Sequence, residues 1–188
     1  MLKNTNSSYG VISILNHWIC AIFFIASLGM GLYMELLPRS PQKEEFLYGH
    51  QALAFIVLVL MSIRILWKIL TPTPKIIRSF SLWEMYLAKM VHSLLFWSLL
   101  VMPLSGWFIL NASNQDVLLF QYYTLPRIIE PSDFVAWCSI LVHQYLGQIL
   151  LFILLLHVMG ALKHHFVDRD HTLKRMLRPE KFWFNRYS

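Results

Sequence analysis

Charged residues are scarce in this chain, and their scarcity excludes an ordinary water-soluble domain. Only 14% of the 188 residues are charged, against about 25% in a typical soluble domain. Hydrophobic residues make up 57% of the sequence, and the mean hydropathy is +0.53. A soluble fold would need four helices that are hydrophobic on every side, with no face turned to water. The composition therefore indicates a membrane protein.

Cysteine is also scarce, and sequence motifs of catalysis are lacking. The two cysteines, Cys20 and Cys138, fall at different depths of the predicted spans, which excludes a disulfide bond between them. The chain has no internal repeat, no nucleotide-binding loop and no nucleophile motif. We therefore predict no catalytic side chain.

The main feature of the sequence is a set of four long apolar runs. They predict membrane spans at about residues 11–34, 46–68, 88–111 and 134–163, and each is long enough for a spanning helix, which needs about 17–25 residues. We predict an all-α membrane protein in which residues 1–188 form a single membrane domain, a bundle of four transmembrane helices. Residues 164–188 are predicted to form a basic cytoplasmic tail.

The placement of charge predicts the orientation in the membrane. Three basic and six acidic residues, a net charge of −3, fall on one side of the predicted spans. The other side holds thirteen basic residues, namely Lys3, Arg64, Lys68, Lys75, Arg78, Lys89, Lys163, Arg169, Lys174, Arg175, Arg178, Lys181 and Arg186. The positive-inside rule then places both termini in the cytoplasm. A basic rim beside anionic lipid explains the net charge of +6 without a nucleic-acid partner.

Of the five histidines inside the predicted spans, four carry the main argument: His17, His50, His143 and His157. A titratable ring is costly in hydrocarbon, so each is a functional-site hypothesis, and neutral imidazole is a common ligand of haem iron. His17 and His157 have matching depths near the cytoplasmic side, and His50 and His143 match near the outer side. We predict that each pair ligates one haem. No Cys-x-x-Cys-His motif is present, so both haems would be non-covalent and b-type.

Two observations favour this pairing. His143 and His157 are fourteen residues apart, or about 21 Å of helical rise. Fourteen residues are two heptads, so both rings point to nearly the same face of the fourth span. One turn after each of the four histidines comes a small residue that leaves room beside the ring, namely Ala21, Ala54, Gly147 and Ala161. At the same offset His92 is followed by Phe96.

Two further histidines have open roles. His92, near the cytoplasmic end of the third span, could rival His17 as the partner of His157. We interpret it instead as a contact to a haem propionate, a quinone or interfacial water. His164 comes one heptad after His157, at the cytoplasmic surface. It is either a contact to a quinone or propionate, or an interfacial residue surrounded by water.

Short motifs along most of the chain resemble the bacterial cytochrome b561 family. They are Leu-Asn-His-Trp at 15–18, Pro-Arg-Ser at 38–40, Gly-His at 49–50, Thr-Pro-Thr-Pro at 71–74, and Ala-Leu-Lys-His-His-Phe at 161–166 after the last two histidines. The resemblance implies an inner-membrane cytochrome with two haems b, on His17 and His157 and on His50 and His143. It also implies electron flow from a periplasmic donor, which is superoxide in one member, to ubiquinone beside His164.

The expected function is therefore quinone-linked electron transfer across the inner membrane. The net charge of the outer loops would repel rather than attract a superoxide anion. The expected partners are membrane lipid, quinone and a periplasmic redox protein. One alternative is an anchor subunit that relays electrons for such a partner protein. Another is a haem-free transporter or structural bundle in which the histidines relay protons.

Overall fold

Four long α-helices dominate the fold. The computed structural model describes residues 1–74 and 81–179. The long helices are α1 Val11–Leu36, α2 Pro41–Leu70, α3 Leu82–Ala112 and α4 Asp133–Phe166. A short antiparallel hairpin, β1 Leu118–Leu119 and β2 Tyr123–Thr124, comes between α3 and α4, and α5 Thr172–Leu177 follows α4. Residues 75–80, between the second and third predicted spans, and residues 180–188 of the predicted tail lie outside the described residues.

The four long helices have the length and composition of membrane spans. They contain 26 to 34 residues, and the mean hydropathy of their most apolar windows lies between 1.8 and 2.3. At about 1.5 Å of rise per residue, even α1 is about 39 Å long and exceeds the hydrocarbon core of roughly 30 Å. Each helix contains one of the predicted spans. The prediction of a mainly helical chain with four candidate membrane-spanning helices is confirmed.

Serine residues begin three of these helices. Ser40 precedes Pro41, and its hydroxyl accepts a hydrogen bond from the backbone N–H three residues later, at 3.3 Å. The backbone N–H and hydroxyl of Ser81 donate to the Glu84 carboxylate at 3.0 and 2.7 Å. Ser132 accepts from a backbone N–H at the start of α4, at 3.4 Å. These bonds pair polar groups at helix starts that would otherwise lack an intrahelical partner.

The segment between α3 and α4 is an ordered loop tied to the end of α3. The side chain of Asn111 is fully buried, its Oδ1 accepts from the Ile128 N–H at 3.0 Å, and its Nδ2 donates to the Gln115 carbonyl at 3.3 Å. Arg127 donates to Asp116 at 2.9 Å. A buried amide that is bonded at both ends organises a loop that would otherwise leave backbone groups unpaired.

The chain divides into two compact units, and each contains a part of all four long helices. The first unit comprises Met1–Ile19, Ser62–Leu95 and the chain from Phe152 onward. The second unit comprises Cys20–Met61 and Phe96–Leu151. This division assigns each of the six histidines named above to one unit. His50 and His143 belong to the second unit, and the other four, His17, His92, His157 and His164, belong to the first.

The N-terminal segment and α5 are hydrogen-bonded into the first unit. Oδ1 of Asn4 accepts from the Gly10 N–H at 3.0 Å, and its Nδ2 donates to the Pro72 carbonyl at 3.2 Å, beyond the end of α2. The Trp18 indole N–H donates to the carbonyl of Met176 in α5 at 2.7 Å. Segments far apart in sequence are therefore hydrogen-bonded to each other within the first unit.

Candidate functional site

In the second unit, His50 of α2 and His143 of α4 face each other. Their ring centroids are 6.1 Å apart, and the ring planes are inclined at 82°. An imidazole nitrogen binds a metal at about 2 Å and lies about 1 Å from the ring centre. Two rings on opposite sides of one iron therefore have centroids about 6 Å apart. The observed separation fits this value.

Serine residues orient both rings of this pair. His50 Nδ1 lies 2.9 Å from the backbone carbonyl oxygen of Ser27 and 3.3 Å from its hydroxyl. His143 Nδ1 lies 2.9 Å from the Ser105 hydroxyl, which itself donates to the Met102 carbonyl at 2.8 Å. A carbonyl oxygen only accepts, and the Ser105 proton is already used, so Nδ1 carries the proton in both histidines. Nε2 is then the nitrogen with a lone pair for a metal.

Two glycines make room for these rings. A Cβ atom at Gly31 of α1 would lie 3.3 Å from Cε1 of His50, and one at Gly106 of α3 would lie 3.3 Å from Cε1 of His143. Contacts this tight require a shift of the neighbouring ring. Larger side chains at the two positions would displace the histidines, and small residues allow such close approach between membrane helices.

A cavity of about 570 Å³ adjoins both histidines of the second unit. Its walls are mostly apolar, and Ala54 and Gly147, two of the small residues that follow a histidine by one turn, line it. The charged lining residues are Glu35, Arg39, Lys43 and Glu44. An apolar cavity of this size with a few polar groups is typical of a cofactor or ligand site.

The first unit contains the second pair, His17 of α1 and His157 of α4. Their ring centroids are 6.2 Å apart, inclined at 60°, which also fits two ligands across one iron. His92 of α3 is closer to His157, with ring centroids 5.0 Å apart. Its Nδ1–H donates to the Ala88 carbonyl at 2.6 Å, within its own helix. The structure thus brings all three histidines together, and the 5.0 Å spacing is short for two rings across one metal.

The polar surroundings of the first pair differ from those of the second. Nδ1 of His17 is buried and has no hydrogen-bond partner among residues 1–74 and 81–179. Arg64 of α2 is close enough to interact electrostatically with both His17 and His157. A cation beside two neutral rings favours an anionic group at this place, such as the propionate of a haem.

His164 lies in a cluster of acidic and basic side chains at the end of α4. Its Nδ1 is 2.8 Å from the Asp168 carboxylate and 3.1 Å from the Asp170 carboxylate. Lys163 forms an ion pair with Asp168 at 2.8 Å and another with Glu84 of α3. The His164 side chain is only 12% exposed. The side chain is therefore mostly buried, with two carboxylates close to its Nδ1.

Sequence reasoning found the six histidines but missed most of the residues that orient them. The missed residues are Ser27, Gly31, Arg64, Ser105, Gly106, Asp168 and Asp170. A signal for four of them was present, because serine and glycine inside apolar spans often mark close helix contacts. Ser27 and Gly31 are one helical turn apart, and Ser105 and Gly106 are adjacent. Nothing in the sequence assigned either pair to a particular histidine.

Helices long enough to span a membrane and two facing pairs of histidines define a candidate membrane cytochrome. Residues 8–179 match the sequence profile described as prokaryotic cytochrome b561. The chain belongs to this family. Membership makes it a membrane electron-transfer protein and implies b-type haem as its cofactor. The resemblance predicted from the short motifs is confirmed.

Curated relatives extend over nearly the whole chain. Cytochrome b561 homolog 2 of Escherichia coli (strain K12) is 29% identical over 181 residues, which cover 93% of this chain and 93% of the relative. The probable superoxide oxidase CybB of Yersinia pestis is 28% identical over 176 residues, 94% of this chain and 98% of the relative. Cytochrome b561 homolog 1 of Escherichia coli (strain K12) is 25% identical over 166 residues, 88% of this chain and 94% of the relative.

Proposed function

We propose that this chain carries electrons across a membrane through two b-type haems. His17 and His157 would hold one haem, at what we call the inner site, and His50 and His143 would hold the other, at the outer site. The observation that carries the proposal is the spacing of the ring centroids, 6.2 and 6.1 Å, in both pairs. When bound, the haems supply one-electron transfer, while the chain supplies ligands, burial and hydrogen bonds that tune their potentials.

The proposed orientation places both termini in the cytoplasm of a bacterium, with the four spans in its inner membrane. The excess of lysine and arginine at the N-terminus, between α2 and α3, and after α4 supports it. In this orientation the inner site lies towards the cytoplasm and the outer site towards the periplasm. Electrons would enter at the outer site and leave at the inner one.

The proposed electron acceptor is a quinone held beside His164. Reduction of a quinone to a quinol consumes two electrons and two protons, so its site needs proton donors as well as a redox partner. The His164 side chain is only 12% exposed, and the carboxylates of Asp168 and Asp170 lie 2.8 and 3.1 Å from its Nδ1. Asp168, with 28% of its side chain exposed, would accept protons from water and pass them through His164.

Two electron donors are compatible with the outer site. The printed name of one relative is probable superoxide oxidase, and Arg39 and Lys43, two of the three basic residues on the proposed outer side, line the outer cavity. Glu35 and Glu44 line the same cavity, so its formal charges balance, and it would repel a small anion less than the net negative charge of the outer loops does. A periplasmic redox protein is the second candidate, because Tyr122 and Tyr123 at the hairpin are 86% and 70% exposed. Exposed aromatic side chains are common in protein interfaces.

Haem stoichiometry tests the proposal directly. We expect the purified protein to contain two haems b per chain, both low-spin and six-coordinate, because each pair offers two nitrogen ligands. Pyridine haemochrome analysis against protein concentration measures the ratio, and mixing the oxidised protein with superoxide tests that donor. A ratio of one haem per chain would contradict one of the two proposed haem sites. A protein without haem would favour the transporter or structural alternative.

Replacing His164 by alanine tests the quinone site. The His164→Ala variant should keep both haem spectra but slow the reoxidation of reduced protein by added ubiquinone about tenfold or more, because general acid catalysis typically contributes 10²–10⁴-fold. Stopped-flow absorbance at the haem bands measures the rate. The His165→Ala variant is the matched control on the next residue and should reoxidise at the normal rate. Normal reoxidation in the His164 variant would place the quinone elsewhere.

A further inference from the structure

The Ser105 hydroxyl lies closer to Nδ1 of His143, at 2.9 Å, than the Ser27 hydroxyl lies to Nδ1 of His50, at 3.3 Å. The Nδ1–H of His50 is held at 2.9 Å by a backbone carbonyl, which persists whatever side chain stands at position 27. The Nδ1–H of His143 is held at 2.9 Å by a side-chain hydroxyl. A single substitution therefore removes the hydroxyl acceptor from His143 and leaves the Met102 carbonyl, which also interacts with this ring, whereas the Ser27 carbonyl on His50 cannot be removed in this way.

The Ser105 hydroxyl is a strong acceptor in this position. It is buried, with 5% of the residue exposed, and it donates its own proton to the Met102 carbonyl at 2.8 Å. A hydroxyl that donates one hydrogen bond becomes a better acceptor of another, because consecutive bonds polarise each other and burial strengthens both. The chain of bonds from His143 through Ser105 to Met102 thus draws the Nδ1 proton away from the ring.

Electron density released in this way reaches the other nitrogen of His143. An acceptor at the outer ring N–H raises the basicity of a metal-bound histidine. A more basic axial ligand stabilises ferric over ferrous iron, since the ferric state carries more positive charge, and so lowers the reduction potential. His17, at the inner site, has a buried Nδ1 without a partner among the described residues, so it lacks this effect.

We propose that Ser105 is a positioning residue that lowers the reduction potential of the outer haem and so favours electron flow towards the inner site. The proposal rests on the proposed ligation of that haem by His50 and His143. It assigns to a buried serine a role in the direction of electron transfer, exerted through its hydrogen bond to His143. The glycine next to it, Gly106, leaves room for the His143 ring, because a Cβ atom there would lie 3.3 Å from Cε1 of His143.

The test compares the midpoint potentials of the two haems in four variants of the full-length holoprotein. The Ser105→Ala variant should retain both haems, and the outer haem should become easier to reduce. We expect its equilibrium with a redox mediator to shift about three- to tenfold, where tenfold corresponds to about 59 mV for a one-electron couple. The EPR spectrum of the outer ferric haem, which responds to the angle between the imidazole planes, should change as well.

Three variants separate tuning from packing. Ser105→Thr retains a hydroxyl that can bond the same carbonyl from within a helix, and it should restore the potential. Ser27→Ala leaves the carbonyl acceptor of His50 and should shift the potential less than Ser105→Ala. Ser98→Ala removes another buried serine of α3, away from the cavity lining, and should leave both potentials at their normal values.

Each outcome supports or contradicts one part of the inference. If the wild-type protein contains no haem that is lost when His143 is replaced, the proposed function is wrong. A normal outer potential in Ser105→Ala, with both haems present, would overturn the role of Ser105 alone. Equal shifts in Ser105→Ala, Ser105→Thr and Ser98→Ala would show a packing effect and also overturn it. Loss of the outer haem in Ser105→Ala, together with its retention at normal potential in Ser105→Thr, would support the hydroxyl as the group that holds His143.

Discussion

The His157→Ala variant should lose one haem and keep the other. His157 faces His17 at a ring separation of 6.2 Å, and the outer pair, His50 and His143, belongs to a different unit of the chain. The substitution removes one of the two ligands of the inner haem. It leaves both proposed ligands of the outer haem in place. We expect the haem content to fall by about half, with the remaining haem retaining bis-histidine ligation.

The reciprocal variant completes this test. His143→Ala should lose the outer haem and keep the inner one, so the two variants should show complementary reduced-minus-oxidised spectra and midpoint potentials. The His165→Ala variant, which changes a histidine of the same helix outside both pairs, controls for purification losses. Loss of both haems from either variant, in a protein that remains folded by circular dichroism, would contradict independent sites.

The second large effect separates His17 from His92. His17→Ala should lose the inner haem, because its ring lies at the distance from His157 that two ligands of one iron require. His92→Ala should keep both haems, because a separation of 5.0 Å is too short for that geometry and its Nδ1–H is used within α3. The inner potential of the His92 variant should still change, since His92 is close enough to influence His157 electrostatically.

The haem content and the haem midpoint potentials of the two variants measure the difference between the roles of His17 and His92. The two substitutions are a matched pair, since both remove an imidazole that lies within 7 Å of His157 between ring centroids. If His92→Ala loses a haem while His17→Ala keeps both, the ligand pair of the inner site is His92 and His157. The assignment of the outer site would be unaffected by that result.

The membrane character and the pairs of histidines could be predicted from the sequence. Four uninterrupted apolar runs admit few structures other than spanning helices, because a backbone in hydrocarbon must bond to itself. Once the helices are known, the depth of each histidine follows from the rise per residue. This reasoning paired His17 with His157 and His50 with His143, and the structure brings the members of each pair together.

The sequence was less informative where function depends on which sides of neighbouring helices meet. Depth could not distinguish His92 from His17 as the partner of His157, and in the folded chain both rings lie beside His157, at 5.0 and 6.2 Å between centroids. His164 was left between two roles, and the acidic groups that bind it come from a turn after α4 whose path no periodicity predicts.

Depth in the membrane is a local property of one helix, since it is counted along the chain from the ends of an apolar run. The rotation of that helix, and hence the partner of each polar atom, depends on side-chain packing among all four helices. For this reason the apolar runs alone predicted the membrane spans and the depth of each histidine in the membrane. The Ser105 hydroxyl on His143, the Ser27 carbonyl on His50 and the glycines beside both rings were decided by packing between helices.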